Sequence, residues 1–171
     1  MDKNYTIYVD LDGVIADFNK SASNIIGRKI NRNEHPITTD EWQKLVNTKN
    51  FYYNLDKTKD ADELIHYLKN LILDEDFFEN YKIEFLSTAP ESIPKSKIDK
   101  IFWCDRYYPN IKCNIVRQKK EKSLYCEFPE NDILIDDDFE NIKNWKGIGV
   151  HHVNTKNTIF EIEEILNKKY Y

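Results

Sequence analysis

Glycine and proline are scarce here, with four glycines and five prolines in 171 residues, and neither an internal repeat nor a long low-complexity segment is present. Repeat and low-complexity architectures are therefore excluded. Cysteine is limited to Cys104, Cys113 and Cys126. An odd number without CxxC spacing supports neither a disulfide framework nor a zinc ribbon, and reduced core thiols are expected. No apolar run approaches the ~18 residues of a membrane span. The opening Met1-Asp2-Lys3-Asn4 is polar, with no signal-like apolar stretch behind it. A soluble, cytoplasmic protein without a membrane partner is the expectation. Excess positive charge is missing too: 25 Lys+Arg against 30 Asp+Glu give a formal charge of −5. A long nucleic acid needs clustered cations to release its counterions, so that partner is not expected.

What is present reads as one domain, or one domain with a small insert. Tyr5 to Asp10 is a β-branched and aromatic run ending in acids and Gly13, hence a strand entering a turn. Residues from about Ile15 to Asn54 lack a strand-like core segment and read as a small helical insert. Asp17 to Ile26 and Thr38 to Val46 read as short helices, the second with a Thr38/Thr39-Asp40-Glu41 cap signature. Asp60 to Ile72 places Leu64, Leu68 and Leu71 on one helical face. Further strands are expected at Lys82 to Ser87, Lys112 to Val116, Asp132 to Asp136 and Gly147 to Val153. Helices are expected at Lys95 to Tyr107, with Ile98, Ile101, Phe102 and Asp105 marking its faces, at Lys119 to Cys126, and at Thr158 to Lys168. Strands alternating with helices predict an α/β fold with a doubly wound parallel sheet.

In such a sheet the carboxyl ends of the strands carry the ligand site. Asp10 and Asp12, two apart in an extended segment, point the same way, and Gly13 lets the backbone turn. Clustered carboxylates repel unless a cation sits between them, so the pair asks for a hard metal such as Mg²⁺. Asp136-Asp137-Asp138 ends a second apolar strand, and one of the three is also a candidate helix cap.

The order of strand-DxDGV, strand-Ser/Thr, Lys and strand-DD resembles the haloacid dehalogenase (HAD) superfamily. Val9 to Phe18, Phe51 to Leu55, Phe85 to Pro90, Lys100 to Trp103 and Ile133 to Asp137 are similar, in that order, to the 5'(3')-deoxyribonucleotidases. The tail Asp138 to Trp145 followed by Gly147-Ile-Gly is similar to their phage and bacterial branch. The resemblance implies a Rossmann-like HAD core at residues 1–16 and 56–171 and a small helical cap insert at 17–55. It implies a Mg²⁺-dependent phosphomonoesterase acting on a small phosphomonoester, a deoxynucleoside monophosphate above all. Asp10 would be the nucleophile, Asp12 the acid and base, and Asp10, the Asp12 carbonyl and Asp137 would bind Mg²⁺ with Asp136 orienting them.

Lys122 is implied as the cation beside the phosphate, with Lys119 as the alternative, and Thr88 as its hydroxyl donor, with Ser87 competing. Phe18 falls where relatives pack the nucleobase, and Trp42, Phe51 and Tyr52 either complete an aromatic wall or form insert core. Ala89 stands where many relatives have a second hydroxyl, Asp138 where some have a basic residue, and the insert is short. The adjacent His151 and His152 face opposite ways with no third ligand, and are expected to be structural. A phosphatase for another small phosphomonoester or a nucleic-acid end, and a catalytically silent binding module, are the alternative readings.

Overall fold

The computed structural model describes residues 5–30, 35–73 and 80–170; the polar opening at residues 1–4 lies outside them. Five parallel strands carry the architecture: β1 (Tyr5–Val9), β2 (Tyr81–Thr88), β3 (Lys112–Val116), β4 (Ile133–Asp136) and β5 (Ile148–His151), in the order β3-β2-β1-β4-β5. β1 pairs on one side with β2 through Val9 and Phe85, and on the other with β4 through Val9 and Ile135. The chain therefore winds outward from β1 in one direction, then restarts beside it in the other. That reversal leaves a crevice at the carboxyl ends of β1 and β4.

Both faces of the sheet are covered, as a parallel sheet requires. Ile7, Val9, Phe85, Ile133 and Ile135 face the larger apolar cluster, where α3 (Ala61–Leu71) adds Leu64 and Leu68, α4 (Ser96–Tyr107) adds Trp103, and α6 (Thr155–Tyr170) adds Ile162. The alternate residues Tyr8, Leu86 and Leu134 face a smaller cluster closed by Trp145, just after α5 (Phe139–Asn144). Period-two burial along each strand thus sorts one sequence into two cores. The helix expected at Lys119 to Cys126 is a 3₁₀ turn over Lys119–Tyr125. Cys104 and Cys113 stay as thiols with their sulfurs 3.0 Å apart.

Between β1 and α3 lie α1 (Phe18–Ile26) and α2 (Thr39–Val46). The chain leaves the sheet at Ala16 and returns at Lys57, where the two form an antiparallel bridge, and the Asp17 amide donates to the Asp56 carbonyl at 2.8 Å. Asp17 caps α1, and Thr38 and Glu41 cap each other's backbone at the start of α2. Arg28, just past α1, holds Glu41 through two bonds of 2.5 and 2.7 Å. Phe18, Ala22, Leu45, Phe51 and Tyr52 join the larger cluster, so the insert shares its core with the sheet. No helix among the described residues is long and apolar enough to cross a membrane.

α4 differs from the expectation for its faces. Ile98 and Phe102 are exposed, whereas Ser96, Asp99, Lys100, Trp103 and Cys104 are buried. The helix turns a polar face inward because that face meets the carboxyl ends of the strands, where charge is gathered.

Candidate active site

β1 ends at Val9, and the next residue, Asp10, is buried with its amide donating to the Ile135 carbonyl at 2.9 Å. Pairing between β1 and β4 therefore continues to the point where chemistry begins. Gly13 turns the chain at a φ of +88°, a region open to glycine. The loop brings Asp12 back over the strand ends. A cavity of about 150 Å³ there is lined by Asp10, Asp12, Ser87, Thr88, Lys119, Lys122, Asp137 and Asp138, among others.

Lys122 reaches this cavity from the 3₁₀ turn. Its ammonium lies 3.0 Å from Asp10 Oδ1 and 2.6 Å from Asp136 Oδ2, and the whole side chain is buried. Burial opposes an ammonium, but the Asp10 and Asp136 carboxylates outweigh it and carry the Lys122 pKa well above the ordinary lysine value. For Asp10, burial raises the carboxyl and the Lys122 and Lys100 ammoniums more than offset it, leaving it below the ordinary carboxylate range. Asp136 shows the opposite balance. Burial first, then the Asp10 charge, push it up to about 6 against the pull of Lys122.

Both oxygens of Asp136 are engaged. Oδ1 accepts from the Asp138 amide at 2.9 Å, Oδ2 accepts from Lys122, and the Asn141 amide donates to both at 3.1 and 3.0 Å. Asp136 thus fixes its neighbours. Among the described residues, Asp10, Asp136 and Asp137 offer carboxylate oxygens all within 4.8 Å of one another. Lys119 instead pairs with Asp138, whose other oxygen caps α5 through the Glu140 amide at 3.0 Å. Of the two candidate lysines, Lys122 is the one against Asp10. Thr88 Oγ1 is buried without a hydrogen-bond partner beside the cavity, and the Ser87 hydroxyl accepts from Lys100 at 3.0 Å.

A second cavity of about 260 Å³ is lined by Asp12, Phe18, Pro36, Ile37, Trp42 and Tyr52. It shares Asp12 and Tyr52 with the first, so acids and aromatics adjoin. The indole N–H of Trp42 donates to Ser92 Oγ at 3.0 Å, tying the insert to the loop after β2. Phe51 is buried core, packed edge-on to Phe18 at 5.5 Å.

Three residues beside the site were not read as site residues from the sequence. Lys100 donates to Asp12 Oδ2 at 2.7 Å, Asn141 braces Asp136, and His151 lies 3.0 Å from the Asp137 carbonyl oxygen. The available signal for Asn141 was its place one turn beyond the acidic cluster, and for His151 its strand register opposite Asp136. His152 meets Thr158 Oγ1 at 2.8 Å.

No individually curated protein shows significant similarity to the chain. The family described as 5' nucleotidase, deoxy (pyrimidine), cytosolic type C protein matches residues 4–167. With that match over nearly its whole length, and with a HAD-type sheet gathering these carboxylates at its switch point, the chain belongs to this deoxyribonucleotidase family of phosphomonoester hydrolases.

Proposed function

We propose that the chain is a Mg²⁺-dependent 5'(3')-deoxyribonucleotidase acting through an aspartyl-phosphate on Asp10. Residues 1–16 and 56–171 would carry the chemistry, with 17–55 as its cap. The observation that carries this reading is the approach of Lys122 Nζ to Asp10 Oδ1, 3.0 Å, in a cavity opening on Thr88 and Asp137 and adjoining an aromatic one. Asp10 attacks phosphorus; an O–P bond forms to its carboxylate while the P–O bond to the nucleoside breaks, and Asp12 hands its proton to the departing oxygen. Water then attacks the acyl phosphate as Asp12 takes its proton, the Asp10 O–P bond breaks, and phosphate leaves. Lys122 offsets charge on the phosphate and Asp10 together, and Thr88 Oγ1 donates to a phosphate oxygen.

Hard oxygen donors within one ion's reach fit Mg²⁺. Asp10, Asp137 and the main-chain carbonyl of Asp12 would hold it, and Asp136, with both oxygens already taken, orients the others. Bound there, Mg²⁺ would neutralise phosphate charge as a Lewis acid. Trp42 offers a stacking surface for the base in the cavity that the buried Phe18 and Tyr52 also line, with Ser87 and Lys119 at the phosphate end. A cytoplasmic setting belongs to the same proposal, supported by the cytosolic description of the family.

Phosphate release from 5'- and 3'-deoxynucleotides, ribonucleotides, sugar phosphates and oligonucleotide ends, with Mg²⁺ and with EDTA, tests it. Deoxynucleoside monophosphates should lead, EDTA should abolish turnover, and Asp10→Asn should be inactive while folded. Preference for sugar phosphates or DNA ends would overturn the substrate, and full activity in EDTA the metal.

A further inference from the structure

α4 buries a lysine that the mechanism above leaves without a task. Lys100 is 2% exposed, and an ammonium removed from water costs several kcal/mol unless each proton finds an acceptor. Its three N–H groups do find them: Asp12 Oδ2 at 2.7 Å, Ser87 Oγ at 3.0 Å and the Thr88 carbonyl at 2.8 Å. The Tyr52 ring of the insert lies over the same nitrogen, 4.6 Å from ring centroid to Nζ. An ammonium has three donors, so none remains for a phosphate. Consistent with this, the walls of the acidic cavity include Lys119 and Lys122 but not Lys100. The two buried lysines therefore divide their work: Lys122 faces the nucleophile, and Lys100 stands behind Asp12.

We propose that Lys100 is the positioning residue for Asp12, fixing that carboxyl group where the acidic and aromatic cavities meet. The inference rests on the acid and base reading of Asp12. A carboxyl group keeps an acceptor oxygen whether it carries a proton or not. Lys100 can thus donate to Oδ2 in both halves of the reaction, which assigns the proton exchanged with the leaving oxygen, and later with water, to Oδ1. The anchor is rigid because its other acceptors are the end of β2 itself, Ser87 and Thr88. A misplacement of about 1 Å in a catalytic group can lower a rate roughly 10²-fold. Holding Asp12 through a third side chain is a means of preventing it.

A double-mutant cycle separates this role from general support of the fold. Lys100→Met keeps the aliphatic stem and removes the donor; kcat for a deoxynucleoside monophosphate should fall roughly 10²-fold with KM changed by less than about threefold. In an Asp12→Asn background the same change should have less than about threefold further effect on kcat, because residues acting through one another are not additive. Acid-quench trapping with a radiolabelled aryl phosphate gives a second readout. Its leaving group needs no proton, so Lys100→Met should form phosphoenzyme at a near-normal rate and then accumulate it. Lys100→Gln, which retains a donor, covers the case in which the Met variant does not fold and should show the same pattern more weakly. Equal losses in both backgrounds, or no loss from either variant, would overturn the proposal. If Asp12→Asn is itself fully active, or no phosphoenzyme forms in the unmodified protein, the reading of Asp12 or Asp10 fails instead, a distinguishable result.

Discussion

Residue 13 and Asp137 are matched in space: a β-carbon on Gly13 would fall 2.1 Å from Asp137 Oδ2. The loop after β1 and the acid after β4 can approach this closely because one of them has no side chain. Gly13→Ala adds a left-handed backbone penalty of roughly 1–2 kcal/mol to a clash that must push Asp137 away. The expected outcome is a modest fall in melting temperature, with activity at saturating Mg²⁺ down by more than about tenfold and the Mg²⁺ half-saturation point raised. Thermal unfolding beside a Mg²⁺ titration of phosphate release checks this. A lower melting temperature with an unmoved Mg²⁺ titration would count against Asp137 as a ligand.

The basic run at Arg117 to Lys122 supplies a graded prediction. Lys122→Ala strips the cation from two buried carboxylates, a change of about 3–5 kcal/mol in stability where a buried pair is broken, and turnover should be lost. Lys119→Ala releases only the more exposed Asp138, worth about 0–1 kcal/mol, and should lower activity by a few-fold at most. Lys120→Ala should do nothing measurable. The three variants are compared by kcat and by melting temperature. If Lys119→Ala proves the damaging change, the pairing of Lys122 with Asp10 is not the catalytic one.

Strand ends were legible because a run such as Ile133 to Ile135 leaves a buried strand little choice, and the acids that follow are then fixed at its edge. The aromatic cavity was legible in part, since Phe18 and Trp42 do line one space. Lys100 was not. Amphipathic periodicity assigns apolar residues to the inner face of a helix, and α4 inverts that, with Phe102 exposed and Lys100 buried. The inversion depends on Asp12, 88 residues away along the chain, and no local pattern contains it. Asn141 and His151 brace residues that the pattern did reveal, and only their placement beside the acidic strand end pointed to them.

Acid should weaken the tie that Arg28 and Glu41 make within the insert. Glu41 is held down at about 2, from an ordinary 4.5, by the Arg28 hydrogen bond first and the Thr38 amide next. A depressed carboxyl contributes stability that is fully present above 4.5 and is lost as the pH falls toward 2. Glu41→Gln keeps a capping side chain and removes the charge. Its deficit in melting temperature should therefore be constant from pH 7 to about pH 5 and shrink below the ordinary glutamate pKa. Parallel thermal scans across that range measure it; a deficit that grows on acidification has the wrong sign and would refute the pairing as its source.

The residue after Glu41 gives the sharpest test of what the insert recognises. Trp42 is half-buried, lines the aromatic cavity and is tied to Ser92, whereas Phe18 is 2% exposed and packed against Phe51 and Tyr52. Phe18→Ala would open a core cavity at about 3–5 kcal/mol, and its kinetics would mix unfolding with recognition. Trp42→Ala avoids that. Base stacking on an aromatic ring is worth about 1–3 kcal/mol, so KM for a deoxynucleoside monophosphate should rise about tenfold while a small aryl phosphate, which has no base to stack, changes little. Ser92→Ala removes the tether and leaves the ring, and should move both substrates slightly and alike. If Trp42→Ala weakens the aryl phosphate as much as the nucleotide, or if Ser92→Ala reproduces its whole effect, then Trp42 serves to fasten the insert to the core, and the base is read elsewhere.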